Sequence, residues 1–329
     1  MHVHVAMPDT GLRTDFLPAA VRDRLASLGR VTWNGSTENY TPAQLREQVD
    51  GVDVLVTGWG NPQVTKDVLS GADELQLLAH TGGSVADIAS QAVYEAGIPV
   101  VSANDVMADY TAEHTIAALL AQRRAIPGLN VSMHLGEWTR SEHEIHSLHD
   151  ATVGLVGLGT IGKKLLAHLV PFEPTVRIYD PYVNESALED YPFAAFTDLD
   201  TALDAEVVSI HAARTPETRG MLDAERLSTI PDGALLVNTA RAEIVEEGPL
   251  LAELRSGRLS AVLDVYHEEP LPENHDLRDF DNVLLTPHVG GSQIRPPLGA
   301  AVVDDIERFA AGDPLEHRIP REQWATMTR

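Results

Sequence analysis

The segment VGLVGLGTIGKKLL at positions 153–166 constrains the fold more than any other stretch of this 329-residue chain. It opens with apolar, partly β-branched residues, passes through G-x-G-x-x-G and closes at helical spacing. It therefore reads as strand, tight turn and helix start. Gly157 permits the turn, Gly159 lets backbone approach a pyrophosphate, and Gly162 lets the helix pack on the strand. The helix N-terminus supplies N–H groups and the positive end of a dipole to phosphate. The following strand-like run, TVRIYD, ends in Asp180, 18 residues past Gly162. A carboxylate there accepts ribose hydroxyls and repels the extra phosphate of NADP. No arginine follows in YDPYVN, so the pattern predicts NAD. A glycine-rich turn without a ligand is the alternative, and the flanking strand, helix and acid argue against it.

About 150 residues precede this turn, which a lone dinucleotide-binding domain does not need. They alternate between strand-like runs, HVHVAM (2–7), DVLVTG (53–58), LQLLAHT (75–81) and IPVVSA (98–103), and helical patterns such as 18–28. That is an α/β unit in its own right. A long helix is predicted over 108–124, broken by IPGLN. A polar loop carrying Trp138, His134, His143, His146 and His149 follows. From Thr152 onward, strands recur at TVGLVGL, TVRIYD, AEVVSIHA, ALLVNTA, SAVLDVY and NVLLTPH. Several are continuous apolar runs, as expected of parallel strands buried on both faces. A last helix is predicted from near Pro297 to Ala311.

Composition narrows the function. The absence of cysteine excludes disulfides, thiolate nucleophiles and cysteine-ligated zinc. A formal charge of −25, from 49 acidic and 24 basic residues, argues against a phosphate-tracking nucleic-acid binder and against docking on anionic lipid. Only three of the basic residues are lysines. Such an acidic, arginine-rich chain fits salt tolerance or a GC-rich genome, and equally a plain solvated acidic surface. No apolar run approaches the ~18 residues of a membrane span, and the start MHVHVAMPDT lacks a secretory pattern. A soluble cytoplasmic protein is expected. The histidines of HEIHSLH (143–149) are spaced by three, so a helix would not gather them on one face. No metal site is expected.

Ligands of open α/β sheets bind at the carboxyl ends of the strands. Those ends carry Arg241 after LLVNTA, Asp264 and Glu269 around DVYHEEP, and His288 in LTPHVGGS. Singly, each reads as an ordinary solvated or structural residue. Together they are what reduction of a 2-keto acid requires. Arginine grips a carboxylate with a bidentate fork, histidine protonates the carbonyl oxygen as hydride reaches carbon, and a neighbouring carboxylate favours the imidazolium. Glu268 is expected to face solvent, and His211, which ends a strand, to be packed rather than catalytic.

At these residues the chain resembles the D-isomer-specific 2-hydroxyacid dehydrogenases. The matching stretches are YTAEHTIAALL, GLVGLGTIGKKL, SIHAARTPETRGML, LLVNTARAEIVEEGPL, LDVYHEEPLP and LLTPHVGGS, in order over about 105–292. The resemblance implies an α/β protein of two Rossmann-like, doubly wound parallel-sheet domains, the cofactor domain inserted into the substrate domain. Residues 1–103 and 294–329 would form the flavodoxin-like substrate domain and 104–293 the NAD-binding domain, with a cleft between them. It implies Arg241 as the substrate-binding arginine, His288 as acid/base, Glu269 as its partner and Asp264 facing the nicotinamide end. Thr160 and Ile161 would offer backbone to the pyrophosphate. Ala212, Thr239, Ala240 and Arg241, with His288, Gly290 and Gly291, would line the cofactor. NAD, a small 2-keto or 2-hydroxy acid and a second copy of the chain are the implied partners, the 108–124 helix lying near the dimer interface.

One loop departs from the family pattern. HTGGSVADI (80–88) has Ser84 where the family carries a second glycine and Ala86 where it carries aspartate. Gly82 and Gly83 can still present N–H groups to a carboxylate. Neither this loop nor TGWGNP (57–62) holds lysine or arginine, which predicts a non-phosphorylated substrate. Trp59 is either a wall for an apolar substrate side chain or a structural ring packed on its own domain. Glu269 argues against formate oxidation, which pairs the histidine with glutamine, and the lysine-free loop argues against phosphite oxidation. An NAD-sensing corepressor of the same fold is the rival from another class.

Overall fold

The computed structural model describes residues 1–138, 144–291 and 293–328. The chain forms two compact units, Met1–Ala108 with Ser292–Arg329, and Asp109–Gly291. The first boundary falls inside the helix Asn104–Arg123.

The first unit holds β1 (His2–Val5), β2 (Arg30–Trp33), β3 (Val54–Thr57), β4 (Leu77–His80) and β5 (Val100–Ser102). They pair in parallel in the order β2-β1-β3-β4-β5. The order reverses between β1 and β3, which makes the sheet doubly wound. β3 and β4 are buried along their whole length, because helices cover both faces of such a sheet. Leu55 and Leu78 join Leu45, Val68 and Val93 in one core, to which Ile319 and Trp324 near the end of the chain contribute.

The second unit holds β6 (Thr152–Val156), β7 (Thr175–Tyr179), β8 (Ala194–Phe196), β9 (Val207–Ile210), β10 (Leu235–Asn238), β11 (Ser260–Leu263) and β12 (Val283–Leu285). All pairs are parallel, in the order β12-β11-β10-β9-β6-β7-β8. Alternate side chains serve opposite faces. Val156, Val208 and Ile210 enter one core, while Val153, Leu155 and Val207 enter the other. The order reverses between β6 and β9, the place where doubly wound sheets take their ligands.

Two strands escape the sequence reading. β2 (RVTW) and β8 (AAF) are edge strands with no fully buried residue, so they lack the apolar run that marks a central strand. The expected loop after the long helix is also corrected. IPGLN opens a second helix, Ile126–His134, entered through Ala125 at φ 49°. A proline in the first turn of a helix removes no hydrogen bond, so it starts this one rather than ending it. Of the HEIHSLH histidines, His143 lies outside the described residues, His146 is exposed, and His149 packs on Phe172. Among the described residues no group of three or more His, Asp or Glu is placed to hold a metal, and no helix is long and apolar enough to cross a membrane.

Candidate active site

The glycine turn sits at the end of β6, at the reversal of the strand order. Gly157 has φ 99°, and a Cβ there would lie 2.6 Å from the Ala212 nitrogen. Both facts require glycine. A Cβ on Gly162 would lie 2.6 Å from the Gly157 carbonyl oxygen, so the helix Thr160–Leu169 rests directly on the turn. Around Gly159 there is open space, and as the N-cap it offers no side chain to the first N–H groups of that helix. Asp180 reaches back across the turn. Its Oδ2 accepts the Leu158 N–H at 2.7 Å and its Oδ1 the Tyr182 N–H at 2.8 Å. Each oxygen retains a lone pair for a further donor.

His211, at the end of β9, lies against the same turn. Its Nε2 is 2.8 Å from Ser209 Oγ, and its Nδ1 is buried with no partner. Burial lowers its pKa to about 4, so the ring is neutral. A buried ring nitrogen without a partner and open space over Gly159 are what a bound dinucleotide would fill. The residues present fit NAD.

Further along the sheet, the ends of β10, β11 and β12 carry the polar residues. After β10, Asn238 locks the turn. Its Oδ1 accepts the Ala240 N–H at 3.1 Å, and its Nδ2 donates to the Arg241 carbonyl at 2.9 Å. Thr239 is buried, its hydroxyl 2.8 Å from that of Thr115. Arg241 is half-buried, and desolvation, then the like charge of Arg214, lowers its pKa. Glu243 and Glu269 pull the other way, and the guanidinium remains a cation. Arg214 itself pairs with Glu243. After β12, His288 adopts φ 52°, and its Nδ1 stands 2.7 Å from Glu269 Oε2. Glu269 Oε1 accepts the Tyr266 N–H at 3.0 Å, which aims the carboxylate. Both side chains are open to solvent, at 45% and 37% exposure. Glu268 is exposed, as its neighbours imply.

Asp264 is almost fully buried at the end of β11. Its Oδ1 accepts from Thr286 Oγ1 at 2.6 Å and from the Val289 N–H at 2.9 Å, and its Oδ2 accepts the Gly290 N–H at 2.9 Å. Both oxygens thus hold the loop that carries His288. Gly291 ends the unit beside it.

In the first unit, the loop after β4 is built around glycine. A Cβ on Gly82 would lie 2.5 Å from both His80 Nε2 and Trp59 Nε1. The Gly83 carbonyl accepts from Ser102 Oγ at 3.0 Å. Ser84 donates to the Thr328 carbonyl at 3.0 Å and accepts the Ala86 N–H, so its hydroxyl ties the loop to the C-terminal segment. Ala86 is buried. Trp59 packs edge-on against Phe16, ring centroids 5.0 Å apart, and is half-buried. Its turn is pinned by Asn61, which accepts the Gly58 N–H and donates to the Ala6 carbonyl. His80 contacts Thr57 Oγ1 through Nδ1 at 3.0 Å, and burial lowers its pKa to about 4.

Comparison with known proteins is decisive for the lineage. A family model described as D-isomer specific 2-hydroxyacid dehydrogenase, NAD binding domain, matches residues 116–290. The chain belongs to the D-isomer specific 2-hydroxyacid dehydrogenase family. It is 32% identical over 292 residues to D-3-phosphoglycerate dehydrogenase of Methanocaldococcus jannaschii, covering 86% of this chain and 55% of that protein. It is 32% identical over 260 residues to the Bacillus subtilis protein of the same name, covering 78% and 49%. The chain spans about half the length of these relatives. Among solved structures, protein TT0316 of Thermus thermophilus is similar with TM-score 0.77 at 29% identity, covering 97% of this chain and 100% of that one. A D-isomer specific 2-hydroxyacid dehydrogenase of Xanthobacter autotrophicus Py2, in complex with NADPH and MES, is similar with TM-score 0.71 at 25% identity, covering 98% and 100%.

In this member of the family, Gly157, Gly159, Gly162, Asp180 and Ala212 gather at one end of the second sheet's ligand edge, and Arg241, Glu269 and His288 cluster at the ends of β10 to β12. Sequence reasoning missed Asn238, the unpaired Nδ1 of His211, and His114, whose Nε2 is 3.2 Å from Thr286 Oγ1. The first two stand at strand ends and were open to the same rule that picked out Arg241. His114 is mid-helix, and only the fold brings it to β12.

Proposed function

We propose that this chain is an NAD-dependent oxidoreductase that interconverts a small 2-keto acid and a D-2-hydroxy acid. One observation carries the reading: a histidine ring nitrogen 2.7 Å from a carboxylate, at the ligand edge of the NAD-binding sheet and with a half-buried arginine nearby. Bound NADH supplies the hydride. Arg241 grips the substrate carboxylate in a two-pronged bond. His288, with Nδ1 turned to Glu269, gives the proton on Nε2 to the carbonyl oxygen, so that C=O becomes CH–OH. Glu269, 2.7 Å from Nδ1, holds the ring in that tautomer. Thr160, Ile161, Gly159 and Asp180 hold the dinucleotide, Ala212, Thr239, Ala240, Gly290 and Gly291 line it, and Asp264 serves the same site through the His288 loop. Gly82, Gly83 and Ser84 are proposed to take part in substrate recognition through their N–H groups. NADH oxidation with glyoxylate, hydroxypyruvate, pyruvate and phenylpyruvate tests the reading, and binding of NADH without turnover of any of them would favour the corepressor role.

The substrate is proposed to carry no phosphate, although the relatives above are named for phosphoglycerate. His80 is neutral and no lysine or arginine occupies 57–62 or 80–85, so these loops offer no cation to a phosphate. Phenylpyruvate or pyruvate is expected to exceed 3-phosphohydroxypyruvate in kcat/KM. The reverse order would sink the proposal. Trp59→Ala is expected to leave the ratio of phenylpyruvate to pyruvate unchanged, since its ring packs on Phe16 of its own unit. A fall in that ratio would make Trp59 a wall of the pocket.

Asp180 is proposed to select NADH. Asp180→Ala is expected to raise NADPH efficiency and lower that of NADH, because the carboxylate that repels the 2′-phosphate is gone. Wild-type kinetics favouring NADPH would refute this.

A homodimer in the cytoplasm, where the dinucleotide pool is used, completes the proposal. Its support is apolar surface. Ile126, Val131, Met133, Leu135 and Trp138 are all more than half exposed, Leu135 at 71% and Trp138 at 74%. Exposed apolar surface of this kind marks protein–protein contact sites. The 108–124 stretch, expected near the interface, buries Ala112, Thr115 and Leu119 and leaves Glu113 and Ala117 exposed. Light scattering at micromolar concentration is expected to give twice the chain mass, and Leu135→Glu to shift it toward monomer. A monomeric wild type would count against the dimer.

A further inference from the structure

The loop 286–290 places His288 in a left-handed conformation, φ 52°, uncommon for a residue other than glycine. The surroundings that hold it are specific. Asp264 takes three hydrogen bonds from the loop, one from the Thr286 side chain before His288 and two from the Val289 and Gly290 N–H groups after it. The Tyr266 hydroxyl stands 2.8 Å from the Thr286 carbonyl and 3.0 Å from that of Leu263. The loop is thus held on both sides of the histidine from the end of β11.

The hydroxyl of Thr286 has one proton, and it goes to Asp264 Oδ1 at 2.6 Å. Toward His114 Nε2, 3.2 Å away, Thr286 Oγ1 can only accept. His114 must therefore carry its proton on Nε2. At 3.8 Å, Nε2 is too far to bond Asp264 Oδ1 directly. A directed chain results: His114 Nε2–H donates to Thr286 Oγ1 and Thr286 O–H to Asp264 Oδ1, while Asp264 also accepts the Val289 and Gly290 N–H groups beyond His288. Gly290 belongs to it, since a Cβ there would come 3.0 Å from Asp264 Oδ2 and 3.4 Å from His114 Cδ2.

We propose that Thr286 and His114 are positioning residues for the proton donor, acting through Asp264 to fix the turn on which His288 meets Glu269. Neither needs to touch substrate or cofactor. The inference rests on the role given to His288 above. It differs from a general stability role because a hydroxyl and a ring N–H are required at fixed places, where an apolar side chain of equal size would pack as well.

Thr286→Val keeps shape and removes the hydroxyl. With the best keto acid of the panel, its kcat is expected to fall by up to about 10²-fold, the effect of misplacing a reacting group by roughly an ångström. KM, NADH affinity and melting temperature stay near wild type. Thr286→Ser restores kcat. His114→Gln, which keeps an N–H donor, is expected to retain more kcat than His114→Leu. Histidine side-chain ¹⁵N NMR, assigned with His114→Gln, gives a readout that needs no turnover: His114 as the Nε2–H tautomer, lost or averaged in Thr286→Val. An Nδ1–H tautomer would overturn the chain. So would wild-type kcat in Thr286→Val, or a loss of kcat that tracks NADH affinity and melting temperature and is not restored by serine. His288→Ala run in parallel separates the two layers. An inactive His288→Ala beside a fully active Thr286→Val overturns the positioning role alone. An active His288→Ala overturns the proposed function, and the positioning role with it.

Discussion

His288→Ala is expected to reduce kcat for keto-acid reduction by about 10²–10⁴-fold, the usual contribution of general acid catalysis, while NADH still binds. The glycine turn and Asp180 stand at the far side of the β6–β9 reversal from β12, so removing the imidazole leaves the dinucleotide's main contacts in place. Fluorescence titration of NADH on the variant separates the two effects. A parallel change, Glu269→Gln, keeps a hydrogen-bond acceptor near Nδ1 but removes the negative charge 2.7 Å away. Its kcat for reduction is expected to fall while NADH affinity stays near wild type, because the neutral amide no longer fixes the ring through Nδ1 as the carboxylate does. A wild-type kcat would dissolve the pairing.

Arg241→Lys is the second change with a large expected effect. The substitution keeps the charge and loses the fork. Truncating one partner of a hydrogen-bonded charge pair costs about 2–5 kcal/mol, or tens- to thousands-fold in kcat/KM. Asn238 holds the turn through both ends of its amide, accepting the Ala240 N–H and donating to the Arg241 carbonyl, and these two bonds stay when the side chain is replaced. The Arg214–Glu243 pair also remains to hold the neighbouring loop. Steady-state kinetics should show the loss chiefly for substrates with a carboxylate beside the carbonyl, with NADH affinity little altered. A kcat/KM within a few-fold of wild type would remove Arg241 from substrate binding.

Residues whose job is local were legible in the sequence. Gly157 is required by a backbone angle and Gly162 by a helix resting on a turn, and both needs are written in the spacing of a single strand–turn–helix. The central strands β3, β9 and β10 announce themselves because burial on both faces demands uninterrupted apolar residues. β2 and β8, each paired on one side only, carry no such demand and were missed. The helix Ile126–His134 was hidden by a proline that reads as a breaker within a helix and as a starter at its first turn.

Chemistry was legible as a set of residue types and illegible as a set of contacts. Arg241, Glu269 and His288 could be picked out because each follows a strand, and strand ends share one edge of a sheet. That edge is all the sequence by itself determined: the glycine turn, the acid that follows it, and three polar side chains of suitable kind in a doubly wound fold. Only the tertiary structure decided that Glu269 stands 2.7 Å from His288, that Asp264 faces inward to hold the loop beyond it, and that His114 reaches Thr286 from a helix 172 positions earlier. The physical reason is range. Turn geometry and strand burial act between neighbours in the chain and leave a pattern there, whereas a hydrogen bond between distant residues leaves none until packing brings its donor and acceptor to within about 3 Å.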